Sequence, residues 1–361
     1  MFKDFSRKYI SVFARVSFCT LGACVLIKLI SMLFSPFADL FNRYVAFITR
    51  AALAYISSLV PFSVAEAVLL AAIPTALIYI VYCATRRTKL TRRIFNLLGV
   101  ICLVISLFIV NFGIAYDCTP VEDKLDMETG NLTVKEVYEA SKMVLDEIKE
   151  LEASLSRNQN GEAIMPYDYD TMDALLVREY EKTAKSYRFI SPLSVGTKRI
   201  ALSLPMRYTG IVGVYTFFTG EANVNTYQSS YAICFTAAHE MAHQRGVAPE
   251  DEANFVAFLT LYNSDDAFFK YAGLMEIFNY MANAVYSEDE ELYYELLTSF
   301  SEGVLKEYTT EEEHSAQFRD NVAQDVSSAV NDAYLKLQGQ KDGAKSYGLV
   351  TDLATAYFLN K

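Results

Sequence analysis

The pattern of apolar and polar positions divides the chain into a front and a back. From Val16 to Phe34, from Ala65 to Ala84 and from Ile94 to Tyr116 apolar residues run almost unbroken, with Lys28 and Glu66 the only charges. About 20 helical residues cross a bilayer core, so the pattern predicts three transmembrane helices over 16–34, 65–84 and 94–116. Lys28 is expected to snorkel to an interface. Between the first two spans, residues 35–64 scatter Asp39, Arg43 and Arg50 among Phe, Leu and Tyr. That predicts an amphipathic helix at the outer interface, with Pro61 opening the second span.

Beyond Tyr116 the period changes. Thr133 and Glu136 make a capping-box pattern, and apolar residues recur at helical spacing to about Leu155. A second helix is expected from Thr171 to Tyr187. Between Lys198 and Val224, Gly210, Gly213 and Gly220 interrupt β-branched and aromatic residues, which predicts two or three short strands. From Tyr227 to Leu359 the pattern is helical again. The expected fold is mainly α. A membrane domain over 1–116 precedes a mostly helical, zincin-like (α+β) domain over 117–361, whose small strand region lies ahead of a central helix.

Charge sharpens this division. The 361 residues carry a net charge of -11, but residues 1–116 hold 12 Lys/Arg against 3 Asp/Glu, leaving 20 against 40 for the back. An acidic domain of net -20 repels nucleic acid, so no nucleic-acid partner is expected. Lys3, Arg7 and Lys8 at the N-terminus and the RRTKLTRR run over Arg86–Arg93 predict that both segments are cytoplasmic. Three spans then place the back domain outside the cytoplasm. Six cysteines without a CxxC provide neither a disulfide framework nor a thiolate zinc site. Cys234, close to the motif described next, is read as a packed core residue.

The chemistry lies in TAAHEMAHQRG. Two of the chain's three histidines, His239 and His243, frame Glu240 in an HExxH motif. Residues four apart share a helix face, so the two imidazoles can hold one Zn²⁺. Glu240, beside them, is placed to take a proton from the attacking water and pass it to the leaving amine. A catalytic zinc needs a third protein ligand. Pro249 stands where an extended HExxHxxGxxH pattern would place a histidine. Gly246 can end the first helix, and Pro249 with Glu250, Asp251 and Glu252 suits the start of another. Glu252 is the expected third ligand, because Ala253 permits close packing; Glu250 is the alternative. Asp251 or Asn254 is a candidate to orient a ligand from behind.

HEMAHQRG followed by EDEANFVAFL resembles the Glu-zincin peptidases, in which a glutamate on a following helix completes HExxH. The piece from Glu252 to Ala257 is similar to the ligand helix of the ImmA/IrrE-type peptidases, and that resemblance implies Glu252. The chain as a whole resembles an uncharacterised bacterial membrane family, domain-of-unknown-function family 3810. PFSVAEAVLL, FFTGEANVN and HEMAHQRGVAPEDEANFVAFL carry this likeness, which implies a membrane-anchored zinc peptidase.

In FTGEANVN, Glu221, Asn223 and Asn225 alternate with apolar residues and would share one strand face, either exposed or lining the cleft. His314 is read as a surface histidine, and no tyrosine stands out as an oxyanion donor. The expected function is peptide hydrolysis by a membrane-anchored enzyme with one zinc per chain. Its partners would be the bilayer and a peptide or protein substrate, plausibly of the cell envelope. Two other readings use the same residues. One is a zinc-dependent envelope amidase or hydrolase. The other is a membrane scaffold or receptor with a structural zinc, which would have no need of Glu240.

Overall fold

The computed structural model describes residues 9–85, 89–130, 132–338 and 348–361. Lys3, Arg7, Lys8, Arg86 and Arg87, which carry part of the orientation argument, lie outside them. The chain is mostly helical and divides into two compact units. One is residues 1–118 together with Thr216–Glu221; the other is Thr119–Tyr215 together with Ala222–Lys361. This division falls at Cys118, next to the expected boundary at 116/117, and groups six residues from the strand region with the front.

In the first unit, α1 (Val12–Leu33), α4 (Val64–Thr85) and α5 (Leu90–Asn111) are each long and apolar enough to cross a membrane. The second span matches its expected bounds closely. The third ends at Asn111 rather than at 116, because the chain tightens into a 3-10 turn over Gly113–Asp117. Gly99 lets α1 and α5 approach closely, since a Cβ there would lie 3.2 Å from the Ala14 backbone. Lys28 reaches the turn that follows the third apolar helix. Its ammonium donates to both Asp117 carboxylate oxygens at 2.8 and 2.7 Å and to Gly113 O at 2.8 Å. The segment from 35 to 63 forms α2 (Ser35–Leu40), a π-helical turn and α3 (Phe47–Ser57). Arg50 is not on a polar outer face as expected. It is 0% exposed and donates to Asn42 Oδ1 at 2.6 Å and to Asn111 O at 3.3 Å.

Within the same unit, the Asn111 amide donates to Phe217 O at 2.9 Å. Glu221, 2% exposed, accepts the first backbone N–H groups of α4, from Val64 at 3.0 Å and Ala65 at 2.7 Å. It serves as a remote N-terminal cap.

The second unit opens with the short α6 (Val121–Lys124). It continues through α7 (Val134–Glu152), with the expected Thr133–Glu136 capping box, and α8 (Tyr169–Ser186). Strand β1 (Thr197–Arg199), helix α9 (Ser203–Arg207) and strands β2 (Gly213–Thr216) and β3 (Glu221–Val224) follow. The sheet order is β1-β3-β2, with β1 parallel to β3. β3 is thus the central strand. Asn223 and Asn225 do not line a cleft: their amides donate to Val214 O at 3.3 Å and to Ser203 O at 2.9 Å. β1 and β2 are the edge strands.

The remaining helices are α10 (Ser230–Gln244), α11 (Glu250–Tyr262), α12 (Ala267–Glu288), α13 (Glu290–Thr298), α14 (Glu302–Ala316), α15 (Val322–Leu337) and α16 (Gly348–Leu359). The core is built where α7, α10, α11, α12 and α16 meet. Phe255, Phe258, Phe269, Phe278 and Phe358 fill it. The apolar C-terminal helix is a core element here, buried at Val350, Leu353 and Phe358.

Candidate metal centre

Helix α10 runs through the core and carries His239, Glu240 and His243. Ala237, Ala238, Met241 and Ala242 are fully buried around them and leave room for neighbouring elements to close in. Tyr180 donates its hydroxyl to Ala238 O. Arg245, absent from the sequence reading, is fully buried and donates to Leu193 O at 2.6 Å and Val195 O at 3.2 Å, over the Tyr180 ring. It ties the incoming loop to the end of α10.

The helix ends as expected at Gly246, whose φ is +97°. Gly246 N donates to His243 O at 3.0 Å and Val247 N to Ala242 O at 3.1 Å, which is a Schellman closure. The same turn places Val247 O 2.8 Å from His243 Nδ1. With the proton assigned to Nδ1, Nε2 carries the lone pair that would ligate a metal.

Pro249 then caps α11, and Glu250 is its first residue. The Glu250 carboxylate reaches back to both imidazoles: Oε2 lies 3.2 Å from His239 Nε2 and 3.5 Å from His243 Nε2. Among the described residues these three form a group able to hold a metal ion, with ligand atoms within 4.8 Å of one another. The donor set fits zinc. Ligands at about 2.0–2.1 Å in a tetrahedron are separated by about 3.3 Å, which matches both contacts. The charges agree. Burial lowers the His243 imidazole, but the Glu250 charge and hydrogen bond outweigh that and raise it to about 9. Burial pushes the Glu250 carboxyl up, but the two histidines outweigh that and hold it well below its ordinary value. The cluster favours positive charge at the point it encloses.

The geometry brings Glu250, the alternative, to the two imidazoles, and not the expected Glu252. Glu252 lies two residues beyond Glu250, about 200° around the helix, and so faces away from the imidazoles. Its carboxylate accepts the Val121 N–H at 3.1 Å, and burial, reinforced by Asp251, raises it to about 8. Asp251 and Asn254 are both buried, but Asp251 Oδ1 and Asn254 Nδ2 meet no hydrogen-bond partner, and neither residue is bonded to an imidazole. Glu221, which also figured as a candidate cleft residue, instead caps α4 in the first unit. His314 stacks on Tyr227 at 5.1 Å, apart from the metal-binding group. Cys234 is fully buried, and burial pushes its thiol up, as a packed core residue requires.

Glu240 has a distinct environment. Burial raises its carboxyl to about 7, against the lowering effect of the two histidines; Glu250 raises it and the Tyr215 backbone N–H lowers it. Its Oε2 has no hydrogen-bond partner. Its Oε1 lies against Gly213, where a Cβ would be 2.5 Å away. Only glycine permits the edge strand to pass so close. The signal for Gly213 was present in IVGVY, but without the strand order nothing tied it to Glu240.

No curated protein and no solved structure matches this chain. The family described as protein of unknown function (DUF3810) matches residues 41–355, and the chain belongs to it.

Proposed function

We propose that this chain is a membrane-anchored zinc peptidase in which His239, His243 and Glu250 hold the metal and Glu240 is the general base and acid. The convergence of two imidazole nitrogens and one carboxylate oxygen beside a second, partly unpartnered buried carboxylate carries the reading. A structural zinc site would need the first three groups and would gain nothing from the fourth.

Zinc, when bound, supplies a Lewis acid that polarises a carbonyl and acidifies water. The chain supplies the rest. Glu240, raised to about 7, can accept a proton from the attacking water near neutral pH and return it to the leaving amine. The Tyr215 N–H holds this carboxylate in place. β2, an edge strand next to Glu240, is where an extended peptide would add to the sheet, and such main-chain pairing gives affinity with little demand on side chains. The basic RRTKLTRR run supports a cytoplasmic loop between α4 and α5 and a catalytic domain on the opposite side of the membrane.

The test is cleavage of a quenched-fluorescence peptide library by the purified full-length protein loaded with one equivalent of zinc. Hydrolysis that is lost on chelation and restored by zinc supports the reading. Zinc binding with no cleavage of any peptide overturns it.

A further inference from the structure

Helix α15 (Val322–Leu337) is amphipathic in an inverted sense. Val322, Val326, Ala329, Val330, Ala333 and Leu337 share one face by helical spacing, and all are exposed. Val322 is 77%, Val326 58% and Val330 64% exposed. The opposite face does the packing: Leu335 is fully buried, and Gln324 touches Gly210. The apolar stripe therefore points away from its own domain. The segment it packs on is also greasy. Leu202, Leu204, Tyr208, Ile211 and Val214, around α9 and β2, are large exposed apolar residues, and Tyr208 meets Phe318 edge-on at 5.0 Å, just before α15. A concentration of exposed apolar residues on neighbouring elements marks an interaction surface.

Two features identify the occupant as lipid. The segment runs directly into Thr216–Glu221, which belongs to the unit containing the membrane-length helices. It is also free of carboxylates. From Lys182 to Gly220 there are six Lys/Arg and no Asp/Glu, within a back half of net -20. Arg199 is shared with Asp170 at 3.1 Å and Arg207 with Glu311 at 3.3 Å, so this stretch is not strongly cationic. This stretch lacks carboxylates that would be desolvated against a phospholipid surface, and on α15 Asp325 and Asp332 lie beside the apolar stripe by helical spacing and not on it.

We propose that the apolar stripe of α15 and the α9–β2 segment form a lipid-binding face that rests on the bilayer in which the chain is anchored. The edge strand β2, which carries this face at Val214, is also the strand that passes Glu240. A substrate reaching that strand would be presented from the membrane surface.

The chain contains no tryptophan, so a single indole can be placed without background. V326W and L204W would report from the proposed face, and Y294W, on exposed α13, from elsewhere. Each full-length variant is placed in phosphatidylcholine nanodiscs, one copy per disc, with and without dibrominated phosphatidylcholine. The expected result is blue-shifted emission from V326W and L204W, quenched by brominated lipid at least about twofold more than Y294W. Quenching of both no stronger than that of Y294W overturns the proposal. A blue shift without quenching also overturns it, because protein and not lipid then covers the face.

Discussion

Buried polar groups occur in both units, but they are treated differently. In the first unit three such groups have partners: half-buried Lys28 pairs with Asp117, Arg50 donates to Asn42 and Asn111, and Glu221 accepts from the N-terminus of α4. In the second unit, His239 Nδ1 and Glu240 Oε2 are buried without a hydrogen-bond partner, beside imidazoles that share one carboxylate. Leaving a buried polar atom unmatched costs on the order of 1–3 kcal/mol. A satisfied network holds a fold together. An unsatisfied one persists where chemistry needs the group available.

This contrast can be broken in several ways. The largest effect belongs to Glu240→Gln, which keeps the shape and removes the base. Peptide cleavage should fall by roughly 10²–10⁴-fold, with zinc content by atomic emission unchanged. Loss of zinc together with activity would make Glu240 structural. Lys28→Met should leave half-buried Asp117 with the Ser31 hydroxyl but no cation, lowering stability by roughly 1–3 kcal/mol in detergent melting experiments. The double variant Lys28→Met/Asp117→Leu should recover most of this. Loss of cleavage at unchanged melting temperature would blur the distinction between the two networks.

Smaller effects test finer points. Gly213→Ala forces a methyl group to within 2.5 Å of Glu240 Oε1. It should reduce cleavage by roughly 10–100-fold at full zinc occupancy, as read by kcat/KM and metal analysis. Glu276, half-buried, is raised by burial from 4.5 to about 7, with Asn279 lowering it and Glu311 raising it. Between those values the folded state holds a proton that the unfolded state has lost, so this group makes stability fall as pH rises. Glu276→Gln should remove roughly 1–2 kcal/mol of that decline, seen as flatter denaturation midpoints from pH 5 to pH 8.

Much of the second unit was legible because its signals are local. HExxH, the glycine ending α10 and the Thr133 capping box each lie within a few residues of their partners. The three spans were legible from length and apolarity alone. Which glutamate meets the imidazoles was not, since Glu250 and Glu252 both suit the first turn of a helix. Two residues separate them, and a helix start is uncertain by about that much, yet the difference turns the side chain to the opposite face. The partners of Glu221 and Lys28 were not legible, for another reason. They lie 156 and 89 residues away in the chain, and alternation along a strand or an apolar run carries no trace of them.

The central claim is that Glu250 completes the metal site, and zinc stoichiometry of Glu250→Gln and Glu252→Gln, measured side by side, tests it most directly. The account predicts one zinc per chain for the parent protein and for Glu252→Gln, and loss of zinc from Glu250→Gln. Zinc retained by Glu250→Gln and lost from Glu252→Gln would contradict it.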